Sequence, residues 1–314
     1  IQSDWFGVIT VISFATEVKN ELARSEGDSG CCRRAELAAL LKTGAAMTIG
    51  GRSGPGLCFS TENAAVARRV LRLLKDEGAV TTEITVSRAR RLKKNTRYEV
   101  RIPPQPAVEK MIEELQLMPA STPVPGRGFL RRSCCEVAYL KGAFLSAGSV
   151  NRPGAGYHLE FVSTNYQYAA FLLNLAQKLT LPARLTDRKE FYIVYMKEAD
   201  AIVDFLNMAG AEQAGEKLEV SRNVKEVRNQ VNRLVNCETA NLQKTADAAA
   251  RQLNAIRRLT EKQRGALPKK LRETLTARLT HPDAALSDLA RIMGLSRSGV
   301  NHRLRKIMEL ANDL

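Results

Sequence analysis

A short motif occurs twice in the chain, and this internal repeat restricts the folds that the sequence can adopt. Residues 41–51, LKTGAAMTIGG, match residues 139–149, YLKGAFLSAGS, 98 positions later. A Cys-Cys pair precedes each copy, at Cys31-Cys32 and at Cys134-Cys135. A repeat of this length predicts one domain built from two copies of the same supersecondary unit.

Each copy predicts the same order of elements, α-β-α-β-β-α, with Pro119–Arg127 as the joint. The first copy predicts Ala35–Lys42, Leu57–Phe59, Asn63–Lys75, Glu83–Val86, Tyr98–Ile102 and Ala107–Leu117. The second copy predicts Glu136–Leu145, Leu159–Phe161, Asn165–Lys178, Ala183–Leu185, Phe191–Tyr195 and Lys197–Met208. Because Gly44 and Gly142 have no side chain, we expect the first helices of the two copies to pack closely at a pseudo-two-fold axis.

The charge of the chain is strongly positive and unevenly distributed. The net charge is +15, and residues 221–314 carry 19 Lys and Arg against 9 Asp and Glu. A basic chain of ordinary globular composition favours a polyanionic partner, with nucleic acid ahead of an acidic membrane surface. No apolar run has the length of a transmembrane helix. We therefore expect double-stranded DNA as the partner and no membrane.

The start of the chain and the cysteines indicate a reducing compartment. Ile1–Phe14 is moderately apolar, but Asp4 interrupts it and no basic segment precedes it, so it does not resemble a signal peptide. We expect a cytoplasmic, nucleoid-associated protein with reduced cysteines. Adjacent cysteines differ from the C-x-x-C spacing of zinc sites, and the chain has 3 histidines. The sequence therefore predicts no metal site and no cofactor.

A long helix is allowed between the repeated body and the C-terminus, because residues 216–264 contain neither Gly nor Pro. Val224, Val227, Val231 and Leu234 recur at spacings of three and four and form one apolar stripe. Polar residues on other faces are candidate secondary nucleic-acid or interdomain contacts: Asn229, Asn232, Arg233, Asn236, Asn241 and Lys244. The alternative is a polar helix face without a specific role.

Residues 285–314 have the pattern of a helix-turn-helix. Leu286–Gly294 is a short helix closed by glycine, and Ser296 is a good N-cap for a second helix over Arg297–Leu310. The first residues of such a recognition helix face base edges, where Arg suits guanine and Asn suits adenine, and later cations suit phosphates. The candidate DNA-binding residues are Ser296, Arg297, Ser298, Asn301, His302, Arg303, Arg305 and Lys306. The alternative is a basic helical hairpin that contacts protein.

A second basic run lies in the first predicted hairpin of the body. Its cations are further candidate nucleic-acid contacts: Arg88, Arg90, Arg91, Lys93 and Lys94. A solvated loop explains the same run equally well.

The duplicated body resembles the LAGLIDADG homing endonuclease fold. Residues 140–148, LKGAFLSAG, match the nine-letter motif at its first, third and ninth letters, and the first copy matches at Gly44 and Gly50. In those nucleases the eighth letter is an aspartate that binds the catalytic metal. Here the repeat assigns that letter to Ala147 and Ile49, and neither side chain has the oxygen that Mg²⁺ requires. The resemblance therefore implies the scaffold without the nuclease chemistry.

From residue 13 onward the chain resembles the WhiA family of bacterial sporulation and cell-division regulators. The most specific matches are residues 228–236 (RNQVNRLVN), 240–244 (ANLQK) and 296–304 (SRSGVNHRL). The resemblance implies an α+β fold, in which a pseudo-two-fold duplicated LAGLIDADG-type domain is followed by an all-α helix-turn-helix domain. It also implies a non-enzymatic, sequence-specific DNA-binding protein that regulates transcription in cell division, chromosome segregation and, in spore formers, sporulation.

The expected domain boundaries follow from these patterns. They give an N-terminal extension (1–13), the body (14–213, with repeats 14–118 and 128–213), a linking helix (214–265) and the helix-turn-helix domain (266–314). The helix-turn-helix resembles region 4 of sigma factors, so RNA polymerase or another regulator is a further candidate partner. The sequence leaves the oligomeric state open.

Two alternatives belong to other functional classes. One is a residual metal-dependent DNA endonuclease that uses acids outside the usual positions, for which Asp4, Glu17 and Glu36 are candidates. The other is a body that binds RNA or a protein partner.

Overall fold

The fold is described from a computed structural model. It describes residues 12–25, 29–49, 54–78, 80–88, 96–117, 124–126 and 128–312. The chain divides into two compact units, residues 1–225 and 226–314. Residues 1–11 of the expected N-terminal extension lie outside the described residues.

The first unit contains two halves with the same order of elements, preceded by a helix, α1 (Phe14–Arg24). The first half contains α2 (Gly30–Gly44), β1 (Ala45–Ile49), β2 (Pro55–Thr61), α3 (Ala64–Asp76), β3 (Glu83–Arg88), β4 (Thr96–Ile102) and α4 (Pro106–Glu114). The second half contains α5 (Ser133–Ala147), β5 (Gly148–Val150), β6 (Leu159–Ser163), α6 (Tyr166–Lys178), β7 (Arg184–Arg188), β8 (Phe191–Met196) and α7 (Ala199–Ala209). The predicted duplicated α+β body is confirmed.

One strand in each half differs from the predicted order. Strands β1 and β5 follow their helices without a loop, so the unit is α-β-β-α-β-β-α. Strand β5 has three residues, which is too few for the alternating pattern that identifies a strand in a sequence. Strand β1 has five residues, but its sequence, AAMTI, does not alternate between apolar and polar residues, so neither strand has a readable pattern.

Each half has a four-stranded antiparallel sheet, in the orders β1-β2-β4-β3 and β5-β6-β8-β7. Phe59 pairs with Ala45 and Val100 in the first sheet, and Phe161 pairs with Gly148 and Val194 in the second. Both phenylalanines are buried. The two halves therefore share one strand register as well as one order of elements.

The helix ends correct the register of the repeat. Helix α2 ends at Gly44 and α5 ends at Ala147, so these two residues are equivalent and the spacing is 103 (44 to 147) rather than 98. The spacing of 98 came from aligning Gly44 with Gly142. These glycines are not equivalent, because Gly142 lies inside α5 and Gly44 is the last residue of α2. Gly44, and not Ile49, occupies the eighth letter of the motif in the first half. That letter still lacks a carboxylate in both halves.

Helices α2 and α5 pack against each other in the same direction along most of their length. A Cβ atom added to Gly142 would lie 2.3 Å from the carbonyl oxygen of Glu36 and 2.9 Å from Cβ of Ala39. A Cβ atom at Gly44 would lie 2.4 Å from Oγ of Ser146, at the C-terminal ends of the two helices. The close approach predicted from the glycines is confirmed, since even a methyl group would force the backbones apart.

Buried charges connect the two halves beside this packing. The carboxylate of Glu36 accepts hydrogen bonds from Nε and Nη2 of Arg69, at 2.8 and 2.7 Å. Nζ of Lys141, from the second half, lies 3.4 Å from the same carboxylate and donates to Oγ of Ser25 at 2.7 Å. Glu36, Arg69 and Lys141 are each at most 4% exposed. A buried carboxylate with several donors requires all of them to remain in place.

The second half has aromatic rings at the matching positions. Counted from the helix ends, Glu36 corresponds to Tyr139, and counted from the caps Asn63 and Asn165, Arg69 corresponds to Phe171. The rings of Tyr139 and Phe171 meet edge to face, with centroids 5.4 Å apart. The halves share one scaffold but have different core chemistry.

The second unit is entirely helical over its described residues. Its helices are the C-terminal part of α8 (Glu212–Arg258), α9 (Glu261–Ala266), α10 (Lys269–Thr280), α11 (Leu286–Met293) and α12 (Arg297–Asn312). The long helix ends earlier than Arg264, because Thr260 and Gln263 form a capping box that starts α9. No helix in the described part of the chain has a long enough apolar stretch to cross a membrane.

The middle of α8 is solvated on all sides in this structure. Every side chain of residues 223–244 is exposed. The predicted apolar stripe is exposed as well, since Val224, Val227, Val231 and Leu234 are between 52% and 60% exposed. Packing within either unit therefore does not account for the stripe.

We expect Gly142→Ala to destabilise the first unit, because the added methyl would meet the α2 backbone. An overpacked site of this kind costs about 1–3 kcal/mol in the free energy of unfolding. Urea unfolding followed by near-ultraviolet circular dichroism would measure it, since every Tyr and Phe precedes residue 206. The control is Gly30→Ala in α2, where an added Cβ atom meets no heavy atom within 4 Å. Equal stability of both variants would contradict the close packing.

Candidate nucleic-acid interface

The turn between α11 and α12 is built by local backbone and capping interactions. Gly294 has φ +64°, the left-handed conformation that favours glycine. The N–H of Leu295 then donates to the carbonyl of Ala290 at 2.9 Å. Oγ of Ser296 accepts a hydrogen bond from the N–H of Gly299 at 3.1 Å. The predicted glycine stop and serine N-cap are both present, and α12 begins at Arg297.

A small hydrophobic core holds the two helices together. Leu289, Val300, Leu304 and Ile307 are each at most 1% exposed and belong to one buried cluster. The three residues of α12 form the stripe that the sequence predicted. This stripe fixes which face of α12 is turned to solvent.

Arg278 holds the segment between α10 and α11 through hydrogen bonds to backbone carbonyls, a role that the sequence did not predict. Its side chain is 1% exposed. Nη1 donates to the carbonyl of Ala284 at 2.7 Å and lies 3.4 and 3.3 Å from the carbonyls of His281 and Pro282. Burial lowers the pKa of the Arg278 guanidinium. Arg278 follows Leu271 and Leu275 at helical spacing on α10, and this spacing is the sequence signal for a buried side chain there.

The solvent face of α12 carries most of the candidate DNA-binding residues together. The exposed members are Ser296, Arg297, Ser298, Asn301, His302, Arg305 and Lys306. Arg303 differs, since it is partly buried and its Nη1 lies 3.4 Å from the carbonyl oxygen of Lys270 in α10. The structure therefore separates Arg303 from the other cations of α12.

The described secondary candidates lie on two other surfaces, α8 and the edge strand β3. The polar series of α8 is exposed at Asn229, Asn232, Arg233, Asn236, Asn241 and Lys244. Arg88 is exposed at the end of the edge strand β3. Arg90, Arg91, Lys93 and Lys94 lie outside the described residues. In β4, Arg97 and Arg101 both lie within 3.5 Å of Glu99, which reduces the positive charge of that sheet face.

A lysine from α1 lies beside the C-terminal end of α5, next to the eighth letter of the motif. Nζ of Lys19 donates to the carbonyl of Ser146 at 3.5 Å, next to Ala147, and lies 5.9 Å from the ring centre of Phe144. Burial lowers the pKa of the Lys19 amine from 10.5 to about 8. Gly44 and Ala147 offer no oxygen ligand from their side chains. A cation and two aliphatic positions do not suit a divalent metal.

The acids proposed for a residual endonuclease have structural partners. Glu17 binds Nζ of Lys217 at 2.8 Å, and Glu36 is buried against Arg69. Asp4 lies outside the described residues. Each described acid therefore already has an ionic partner, exposed for Glu17 and buried for Glu36.

A basic cleft in the first half was not identified from the sequence. Lys19, Arg24, Arg68 and Arg97 line a cavity of about 940 Å³, together with Glu62. These residues come from α1, α3 and β4, so no spacing in the sequence relates them. Their position gives the first unit a cleft with an excess of basic side chains.

Comparison with known proteins divides the chain into two LAGLIDADG-like parts and a C-terminal helix-turn-helix part. Residues 30–118 match the WhiA N-terminal LAGLIDADG-like domain, residues 136–228 the WhiA LAGLIDADG-like domain and residues 231–311 the WhiA C-terminal HTH domain. A relative named "Probable cell division protein WhiA" from Desulforamulus reducens is 47% identical over 310 residues, or 96% of each chain. The chain belongs to the WhiA family.

Other WhiA proteins support the same assignment over the full length. The relative from Heliobacterium modesticaldum, also named "Probable cell division protein WhiA", is 43% identical over 306 residues and 96% of each chain. The crystal structure of full-length DUF199/WhiA from Thermatoga maritima matches with a TM-score of 0.61 at 24% identity, covering 96% of this chain and 99% of that one. That structure confirms the fold.

We expect Ser296→Ala to loosen the start of α12 in this WhiA chain. Loss of the cap costs about 1 kcal/mol, which corresponds to roughly five-fold faster amide exchange at the first turn of the helix. Hydrogen-exchange mass spectrometry of the full chain would report the amides of Gly299 and Val300. Ser287→Ala, which removes an exposed hydroxyl from α11, is the matched control. Unchanged exchange in Ser296→Ala would show that the hydroxyl does not hold the helix.

We expect the buried amine of Lys19 to make stability depend on pH. The unfolded chain binds more protons than the folded chain between pH 8 and pH 10.5, so the stability of the native protein relative to Lys19→Met should rise across that window. Urea unfolding at a series of pH values would measure the difference. Lys110→Met removes an exposed amine from α4 and is the matched control. A flat difference for Lys19→Met would contradict the burial of the amine.

Proposed function

We propose that this chain is a non-catalytic, sequence-specific DNA-binding protein that regulates transcription. The observation that carries the proposal is the division of α12 into two faces, since Arg297, Asn301 and Arg305 are exposed whereas Val300, Leu304 and Ile307 are buried. A recognition helix requires this division between a packed face and a polar face. The excess of basic residues in the C-terminal part adds the sequence-independent attraction to phosphates.

Different residues of α12 have different roles in this proposal. Arg297 and Asn301 lie in the first turns, where a helix entering the major groove presents side chains to bases, and we assign them to guanine and adenine. Ser296, Ser298 and His302 border them. Arg305 and Lys306 lie further along and bind phosphates. Arg303 faces α10, so we assign it to the packing of the domain or to a phosphate beside that helix.

The process that is regulated follows from the relatives. Their printed name assigns them to cell division. We propose that this chain controls genes of cell division and chromosome segregation, and of sporulation where its host forms spores. Such a protein acts at the nucleoid, in the cytoplasm. RNA polymerase or another regulator is the protein partner that this role implies.

A non-catalytic body fits the residues at its centre. Gly44 and Ala147 stand where metal-binding aspartates are needed, and Lys19 adds positive charge beside them. We propose the body, residues 14–213, as a scaffold whose basic cleft and β3–β4 hairpin provide secondary contacts. The linking helix, residues 214–265, carries the helix-turn-helix domain, residues 266–314. Its asparagines serve as auxiliary polar contacts.

We expect Arg297→Ala and Asn301→Ala each to relax the base preference at one position of the bound site. Each loss corresponds to about 1–3 kcal/mol of discrimination. Sequencing of genomic fragments bound by the full chain would define the site, and salt-dependent gel-shift titration would give the affinities. Arg305→Ala should weaken all sequences alike and reduce the slope of log affinity against log salt by about 0.9.

The controls separate base reading from loss of charge. Lys110→Ala removes one positive charge from α4 and should leave the preference unchanged. The same duplex, incubated with Mg²⁺ and native protein, should remain intact. Full base preference in both Arg297→Ala and Asn301→Ala would exclude α12 as the reader, and a cut duplex would support the endonuclease alternative.

A further inference from the structure

Four cysteines that are far apart in the sequence meet at one end of the body. Cys31 and Cys32 lie in the first turn of α2, and Cys134 and Cys135 lie in the first turn of α5. Their four Sγ atoms all lie within 4.8 Å of one another. The parallel packing of the two helices produces this cluster, because it brings both N-terminal ends together. The prediction of no metal site rested on the spacing within each Cys-Cys pair, which does not show that the two pairs meet.

The spacing of the sulfur atoms suits one tetrahedral ion. Zinc binds thiolates at about 2.3 Å, which places the four sulfurs of a tetrahedron roughly 3.8 Å apart. Because no two sulfurs are more than 4.8 Å apart, shifts of at most about 1 Å, which side-chain rotation allows, would close the cluster around an ion. Four soft sulfur ligands in a tetrahedron select zinc or iron. A cluster of several irons would hold the thiolates further apart than a single ion does.

Two kinds of positive group lie near the sulfurs, although burial raises the pKa of Cys32 and Cys135 in the absence of an ion. Both pairs lie at helix N-termini, where the helix dipole and free N–H groups stabilise thiolates. Arg131 and Arg132 line the same cavity as Cys31 and Cys135. Oγ of Ser29 lies 3.1 Å from the sulfurs of both Cys31 and Cys32, as a hydrogen-bonding group around metal ligands does.

Two of the four thiols are buried and two are exposed, which gives an ion both an entry path and four protein ligands. Cys32 and Cys135 are 5% and 3% exposed, whereas Cys31 and Cys134 are exposed. Two buried ligands are thus positioned by the core, and two exposed ligands complete the coordination from the solvent side. Such a set has four protein ligands and no open position, which is the arrangement of a structural zinc site.

We propose that Cys31, Cys32, Cys134 and Cys135 bind one Zn²⁺ ion that fastens the two halves of the body together. The ion replaces the thiol protons, which are released on binding. It joins α2 to α5 at the end opposite to Gly44 and Ala147. Cys58 and Cys237, the other free cysteines of the described chain, take no part.

Metal analysis of the native full chain tests the proposal directly. Protein purified without chelators should contain one zinc per chain. After removal of zinc under reducing conditions, Co²⁺ should give the intense visible bands of a tetrahedral cobalt-thiolate site, and Zn²⁺ should displace them. Removal of zinc should also lower the midpoint of thermal unfolding, because the ion binds only the folded arrangement.

Matched variants assign the ligands. Cys31→Ser and Cys134→Ser change the two exposed ligands, so their effect on the core is small, and each should weaken Zn²⁺ binding about tenfold or more. Cys58→Ser and Cys237→Ser should retain the cobalt spectrum and the affinity. Circular dichroism of every variant checks that the fold is kept.

Three results would overturn the proposal. One is a native chain with four reactive thiols in reducing buffer, no zinc and no cobalt spectrum. Another is a disulfide between α2 and α5 as the resident state in that buffer. The third is iron in place of zinc in the purified protein.

Discussion

The backbone contact between α2 and α5 is the constraint on which the rest of the body depends. Gly142 leaves room for the carbonyl of Glu36, so the two helices lie side by side in the same direction. That packing determines what meets at each end. The N-terminal ends bring four thiols together, and the C-terminal ends bring Gly44 and Ser146 together beside Lys19. The same packing thus leaves no side-chain oxygen at positions 44 and 147 and brings four sulfur atoms together at the opposite end.

Core chemistry makes the two halves non-interchangeable despite their shared fold. The first half places the Glu36–Arg69 ion pair where the second places Tyr139 against Phe171. Breaking a buried ion pair by removing one partner costs about 3–5 kcal/mol, although the intact pair need not stabilise the fold by that amount. The charged set, which includes Lys141 from the second half, therefore favours one arrangement of the halves over a swapped or mismatched one.

The sequence predicted what depends on local patterns and missed what depends on packing. Asn63, Asn165 and Ser296 identified helix starts because a cap is a local interaction, and Gly294 identified the turn of the helix-turn-helix. The predicted spacing of the repeat was wrong by five residues, because a sequence does not distinguish a glycine inside a helix from a glycine at a helix end. The cysteine cluster and the basic cleft could not be predicted, since both form only when distant elements meet. The exposure of Arg297 and Asn301 followed from helical periodicity alone.

Together these features support the proposal that the body is a scaffold and that the helix-turn-helix domain recognises the DNA sequence. The body combines a closed core with a centre that lacks acidic ligands, and the second unit presents a polar helix face above a compact core. Photo-crosslinking of the native full chain to fragmented genomic DNA, with mass spectrometric mapping of the crosslinked peptides, tests this division most directly. We expect sequence-enriched fragments to crosslink within residues 296–306. Enriched fragments that crosslink only to the sheets of the body would contradict it.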